Sequence, residues 1–233
     1  MPATATVESD TGVARYRFDC DQFERMLEEG ILHNKVELLR GEIWDSCNLH
    51  EPQILKLTIE QYDRIYELGI FEAEARVELI DGEVYELAPA GDWHNASVDR
   101  AAWSLRAIDR GDRIIRSQGS IEILPGNEPE PDVSVLRFRS DFYEDGGAAA
   151  ADVLLIVEVS DTTVRHDRGL KLSRYALAGI PEVWIVTKEP RAIEVYRQPR
   201  DGEYTEQRTY RPGETLAAEA LPDVRVAVSD ITG

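Results

Sequence analysis

A chain of 233 residues is long enough to bury one sizeable core and short for two full domains, so a single α/β domain with an N-terminal extension is the expectation. Its formal net charge of −19 opposes non-specific attraction to phosphate backbones, so any nucleic-acid function needs a local basic patch or metal ions to offset the global field. MPATATVESDTG lacks a basic start before an apolar core, no apolar run approaches the ~18 residues of a membrane span, and two cysteines, Cys20 and Cys47, are too few for a disulfide framework. The expectation is a cytoplasmic protein with reduced thiols and no membrane association.

Residues 1–14 are small and polar and read as a disordered N-terminus. A partial repeat follows. RFDCDQFERMLEEGILHNKVELLRGEIWDS, from Arg17, overlays KLTIEQYDRIYELGIFEAEARVELIDGEVYEL, from Lys56, with Gly30 matching Gly69 and Gly41 matching Gly82. Each copy reads as a short helix ending at Gly-Ile and then a hairpin, closed by Arg40-Gly41 in the first and Asp81-Gly82 in the second. Thr58 with Gln61 fits a capping box. Residues 15–55 are therefore read as a helix-hairpin extension in front of a main domain at residues 56–233. The apolar residues of the first copy, among them Phe18, Met26 and Ile43, need burial against the main sheet or across a homodimer interface, and packing on the same chain is favoured.

After the second hairpin the period changes. Val98, Ala101, Leu105 and Ile108 fall on one stripe of an amphipathic helix, and Arg100, Arg106 and Arg110 form a solvated opposite face that offers phosphate contacts. Short strands are expected at 113–117, at 120–124 and from Val133 to Leu136, the last after prolines at 129 and 131 that keep the chain extended. RSDFYEDGGAAAAD, residues 139–152, reads as a surface loop. ADVLLIVEVSDTTVRHDRGLKLSRYALAGIPEVWIV, residues 151–186, reads as a buried strand, a charged turn, a helix and a second buried strand. Val153, Leu155, Val157 and Val159 line one face of the first strand and Leu154 and Ile156 the other, as in a central strand covered on both sides. A hairpin around Arg200-Asp201-Gly202 follows, with Tyr196, Tyr204 and Tyr210 as cross-strand packing, and ALPDVRVAVSDITG supplies a last strand.

Glu158 breaks the apolar pattern of its strand. A carboxylate at the end of a buried strand carries a large desolvation cost unless it is paired or bound to a metal. The helix that follows opens near Asp167 and stops at Gly179, with Pro181 beyond it, so Lys171 and Tyr175 share a face. Lys171 is one of four lysines in the chain, and a helix packed back on the strand brings it to Glu158. Three acidic positions thus stand in order on or beside strands: Glu78 in VELIDGE, Asp132 in EPEPDVSV and Glu158 in LLIVEVS. Converging carboxylates make a hard oxygen site of the kind magnesium prefers, where a metal activates water and neutralises charge on a phosphate, and a lysine can orient the attacking water. Four histidines without i, i+3 or i, i+4 pairing argue against zinc. His94, opening a helix after GDW, is either a helix-entry hydrogen bond or a phosphate contact.

In this order the residues resemble the Uma-two family of the PD-(D/E)xK nuclease superfamily. The resemblance covers roughly residues 56–233, through RVELIDGEVYELAP, GDWH, EPEPDVSV, DVLLIVEVSDTTVRHDRGLKLSRYALAGIPEVWIV and EVYRQPRDGEYTE. It implies a restriction-endonuclease-like α/β core with a mixed central sheet flanked by helices, and hydrolysis of phosphodiester bonds in DNA dependent on Mg²⁺ or Mn²⁺. Asp132 then corresponds to the Asp of the PD motif, Glu158 to the acidic member of the second motif and Glu78 to the acidic residue of the first block. These three would hold the metal and Lys171 would assist the attacking water. The superfamily's usual lysine stands two positions after the second acid, where this chain has Ser160. Lys171 is then a migrated equivalent reaching in from the helix, with Asp167 helping to set the turn. Two other readings stand beside this one: a catalytically silent binding or regulatory module on the same fold, favoured by the −19 charge and by Ser160, and a hydrolase of a smaller phosphorylated substrate. Glu37 in VELLRGE matches Glu78, yet the chain has only one EPEPDVSV and one LLIVEVS stretch, so the first copy is expected to be a structural remnant.

Overall fold

The computed structural model describes residues 13–47, 51–108, 111–161, 166–222 and 225–233. The expected disordered N-terminus lies outside them up to residue 12, while Val13 is buried and Ala14 opens the first strand. The chain divides into two compact units, one of Val13–Ala88 with Leu124–Glu128, the other of Pro89–Ile123 with Pro129–Gly233.

The first unit contains β1 (Ala14–Arg15), α1 (Cys20–Glu28), β2 (Val36–Leu39), β3 (Glu42–Asp45), β4 (Gln53–Ile54), α2 (Ile59–Glu67), β5 (Val77–Ile80) and β6 (Glu83–Glu86). Both helices start from a capping box, Asp19 with Gln22 and Thr58 with Gln61, which satisfies backbone N–H groups that have no partner within the helix. Both hairpins turn through two residues of positive φ, Arg40-Gly41 and Asp81-Gly82, the geometry that matches strand twist. The strands form two three-stranded sheets, β2-β3-β4 and β1-β6-β5. Phe18, Met26, Ile31 and Ile43 of the first copy lie in one apolar cluster with Tyr62, Ile65, Phe71 and Leu79 of the second. A separate N-terminal helix-hairpin extension is therefore not what forms. Neither short copy can cover its own apolar stripe, the two share one core, and the boundary between units falls after Ala88 rather than at residue 55.

The second unit contains α3 (Asp92–Ile108), β7 (Arg113–Ser117), β8 (Ile121–Glu122), β9 (Val133–Arg137), β10 (Ala148–Ala149) and β11 (Val153–Ser160). A π-helical turn (Asp167–Lys171) then runs into α4 (Leu172–Leu177), followed by β12 (Glu182–Thr187), β13 (Ala192–Arg200), β14 (Glu203–Tyr210), β15 (Thr215–Leu216), β16 (Val226–Ala227) and α5 (Val228–Thr232). Six strands make a mixed sheet in the order β14-β13-β12-β11-β9-β7, parallel between β11 and β12 and antiparallel elsewhere. Val98, Ala101 and Leu105 of α3 pack in one cluster with Leu155, Val157 and Val159, as the helical stripe required; the side chain of Ile108 lies outside the described residues. On the other face Tyr175 of α4 packs with Ile156, Val183 and Ile185. The central strand is thus covered on both sides, which leaves a charged side chain on it little access to water.

Several details differ from the sequence reading. A bulge between Val153 and Leu155 slips the register, so Val153 joins Ile156 on the α4 side while Leu154 packs on the α3 side with Leu155. The expected last strand is only Val226–Ala227 and continues as a helix that buries Val228, Ile231 and Thr232. Arg100 and Arg106 donate to the carbonyls of Ile231 and Ile115, at 3.5 and 3.1 Å, rather than forming a purely solvated face. Loop 139–152 is anchored by Tyr143, whose ring is buried beneath the Arg139 guanidinium and whose hydroxyl donates to the Arg137 carbonyl at 2.7 Å. Tyr196 and Tyr204 pack across β13 and β14 with ring centroids 6.2 Å apart. Among the described residues no helix is long and apolar enough to cross a membrane.

Candidate active site

The second unit brings Asp132, Glu158 and Lys171 together. Val133 pairs with Val157 in the antiparallel register of β9 and β11, so one step further along Asp132 stands opposite Glu158, and directly opposed residues present their side chains on the same face. Asp132 uses Oδ2 to accept the Val159 backbone N–H at 2.7 Å, while Oδ1 lies 3.2 Å from His94 Nε2. That contact gives His94, at the start of α3, a specific partner beyond helix entry.

Glu158 is 3% exposed, and its Oε1 accepts two hydrogen bonds, from Tyr175 Oη at 2.6 Å and from Lys171 Nζ at 2.8 Å. Lys171 and Tyr175 are one helical turn apart, and α4 packs on the sheet face that carries Glu158. The π-helical turn ends at Lys171, with the Leu172 N–H donating back to the Asp167 carbonyl. Such local widening re-aims side chains and recurs at functional sites. Ser160 Oγ donates to Asp167 Oδ2 at 2.6 Å, so the residue in the superfamily's lysine position ties β11 to that turn instead of supplying a charge. Tyr175 is the site residue to which the sequence assigned no role. Its signal was the helical spacing from Lys171.

Burial pushes the Glu158 carboxyl up, to about 8, against the opposing pull of the Lys171 ammonium; the nearby Asp167 and Asp132 carboxylates push it the same way as burial. A raised folded pKa means that the folded chain holds a proton that the unfolded chain has released, from about pH 4.5 up to about pH 8. Stability contributed by that proton is present at low pH and is lost as pH rises through this window. In metal-free buffer the unfolding free energy of Glu158→Gln is therefore expected to fall less than the parent's between roughly pH 5 and pH 8. Equal slopes in denaturant titrations would show that Glu158 ionises in the ordinary range.

Glu78 lies in the first unit, on β5, and is fully buried there, with Tyr85 opposite it in the hairpin. Its counterpart Glu37 on β2 is exposed. His33, Asp45 and Cys47, also in the first unit, bring one potential ligand atom each within 4.8 Å of one another. The His33 Nδ1 accepts the Lys35 N–H at 3.2 Å, however, which leaves the proton of the neutral ring on Nε2, the atom that faces Asp45 at 3.8 Å. That arrangement offers a metal no imidazole lone pair.

A mixed sheet covered by helices on both faces is a fold with a solved counterpart. The crystal structure titled "a putative nuclease belonging to DUF820", from Anabaena variabilis, superposes with a TM-score of 0.59 at 14% identity, over 76% of this chain and 97% of that one. The family model Uma2, described as "Putative restriction endonuclease", matches residues 59–229. The chain belongs to the Uma2 family. No curated protein matches it.

Proposed function

We propose that this protein is a metal-dependent endonuclease that hydrolyses phosphodiester bonds in DNA. The observation that carries this reading is the buried group of Asp132, Glu158 and Lys171 on one face of the central sheet, in a chain whose family model is described as "Putative restriction endonuclease". The donor set fits Mg²⁺ or Mn²⁺: two opposed carboxylates supply hard oxygen ligands, and such ions keep waters and take substrate phosphate as further ligands. When bound, the ion would polarise the scissile phosphate and lower the pKa of its water. Asp132 would be one ligand of the ion, its carboxylate positioned by the Val159 amide. Glu158 would be the second ligand, and Tyr175 would fix the orientation of its carboxylate. Lys171 would orient the attacking water and stabilise negative charge that builds up on the phosphate oxygens. Glu78 enters as a metal ligand through the family resemblance alone.

The test is incubation of supercoiled plasmid, and separately of RNA, with the full chain and Mg²⁺ or Mn²⁺. Metal-dependent nicking of the plasmid is the expected result. The silent-module reading keeps one supporting observation, the −19 charge, and complete absence of cleavage on either substrate would favour it. In the same assay Glu37→Gln is expected to behave like the parent and Glu78→Gln to be inactive. Equal loss in both would mean that the first copy takes part in the chemistry.

A further inference from the structure

The two copies in the first unit share a core, and their contacts are also reciprocal. The register that joins β1 to β6, Ala14 opposite Glu86 and Arg15 opposite Tyr85, recurs between β4 and β3 as Gln53 opposite Asp45 and Ile54 opposite Trp44. The lead strand of each copy therefore pairs with the hairpin of the other. Just beyond, the Tyr16 N–H donates to the Val84 carbonyl at 2.8 Å and the Leu55 N–H to the Ile43 carbonyl at 2.8 Å. Each copy then turns back to its own hairpin, the Phe18 N–H donating to the Gly41 carbonyl and the Leu57 N–H to the Gly82 carbonyl.

The helices repeat the exchange. Gln22 Nε2 crosses to the Ile70 carbonyl at 2.8 Å, and Gln61 Nε2, its counterpart in the other capping box, crosses to the Ile31 carbonyl at 2.7 Å. Met26 and Ile65 hold corresponding places on α1 and α2 and are both 0% exposed. The small cavity of this unit is lined in matching pairs: Tyr16 with Leu55, Gly41 with Gly82, Glu42 with Glu83.

A translational repeat would hand the contacts of one copy on to the next and leave an open end for a third. Here the strand and glutamine contacts return on themselves, which is the signature of an isologous two-fold interface, ordinarily formed by two molecules. The family model starts at residue 59, so it includes the second copy from the start of α2 and omits the first. The first copy has kept the residues that make the interface, while Glu37 is exposed where Glu78 is buried.

We propose that the second helix-hairpin carries a self-complementary interaction surface whose partner is another helix-hairpin of the same kind, and that the first copy fills it in cis. At this face the chain is its own dimer partner. Filling the surface from the same chain replaces a concentration-dependent association by an intramolecular one, so the full chain is monomeric through this face.

Light scattering on full-length chains tests the proposal. The parent is expected to be a monomer at micromolar concentration. Met26→Asp puts a charge at the centre of the contact, releases the first copy and bares the second; its mass is expected to double while the chain stays folded by circular dichroism. Adding Ile65→Asp removes the bared face and is expected to restore the monomer. A parent that is already dimeric, a folded Met26→Asp chain that stays monomeric, or a double variant that still dimerises would overturn the proposal. If Met26→Asp does not fold, Gln22→Ala combined with Arg25→Ala removes the hydrogen bonds that tie α1 to the end of α2, along with the capping bond from the Asp19 N–H and the bond to Tyr16 Oη. That chain is expected to dimerise with rising concentration, and one that remains monomeric throughout overturns the proposal equally.

Discussion

Asp132→Asn is expected to abolish metal-dependent plasmid cleavage, by on the order of 10³-fold or more, and to leave the fold in place. Asparagine is the informative choice because its carbonyl oxygen can still accept the Val159 N–H, so the link between the start of β9 and the end of β11 survives. What disappears is the anionic oxygen beside His94. Alanine would confound the two effects, since it also leaves a buried amide without its acceptor, at a cost of roughly 1–3 kcal/mol. Calorimetry with Mn²⁺ should show metal binding weakened along with cleavage. An Asp132→Asn chain that nicks plasmid at the parental rate would remove Asp132 from the site.

Lys171→Ala is expected to lower turnover by on the order of 10²–10⁴-fold, the usual yield of one positioned proton-handling or charge-stabilising group, while Mn²⁺ affinity falls much less, by the cost of displacing the proton that Glu158 then holds. The ammonium is buried against Glu158, and breaking a buried pair typically costs ~3–5 kcal/mol because a bare charge is left behind. Glu158 escapes most of that cost. Its carboxyl already lies well above the usual range, so without Lys171 it takes up a proton instead of remaining an uncompensated anion. The variant should therefore fold, and single-turnover kinetics can be read without a stability correction. Matching losses of metal affinity and turnover would instead make Lys171 a support for the carboxylates.

The sheet and its central strand were legible because the continuous apolar run in LLIVEVS is strong and local. The face of Val153 was not, because a bulge shifts register through pairing with a distant strand. VAVSDIT misled for a related reason: Val226 and Val228 alternate as in a short strand, while Val228, Ile231 and Thr232 have helical spacing. At the site, Glu158 announced itself as a charge in an apolar run, and Lys171 followed from helical spacing. The His94 contact with Asp132 and the Ser160 bond to Asp167 depend on tertiary placement that no local pattern carries. The repeat was visible in matched glycines, but its reciprocal pairing was not. Seen as a sequence, a copy in front of a domain looks like an appendage; seen as strand register, it is half of a closed unit.

That register also sets an order in time. β1 pairs with β6, so the strand at Ala14 does not find this partner until Glu86 has been synthesised. Met26 and its neighbours on α1 leave the ribosome with their apolar stripe uncovered and stay so for the seconds that translating the second copy takes, at roughly 5–20 residues per second. Closing the unit joins segments far apart in sequence, so chain entropy is lost before most of the burial is gained. The first copy is thus made first but secured only together with the second, and the emergence of β6 is the event that allows both to fold at once.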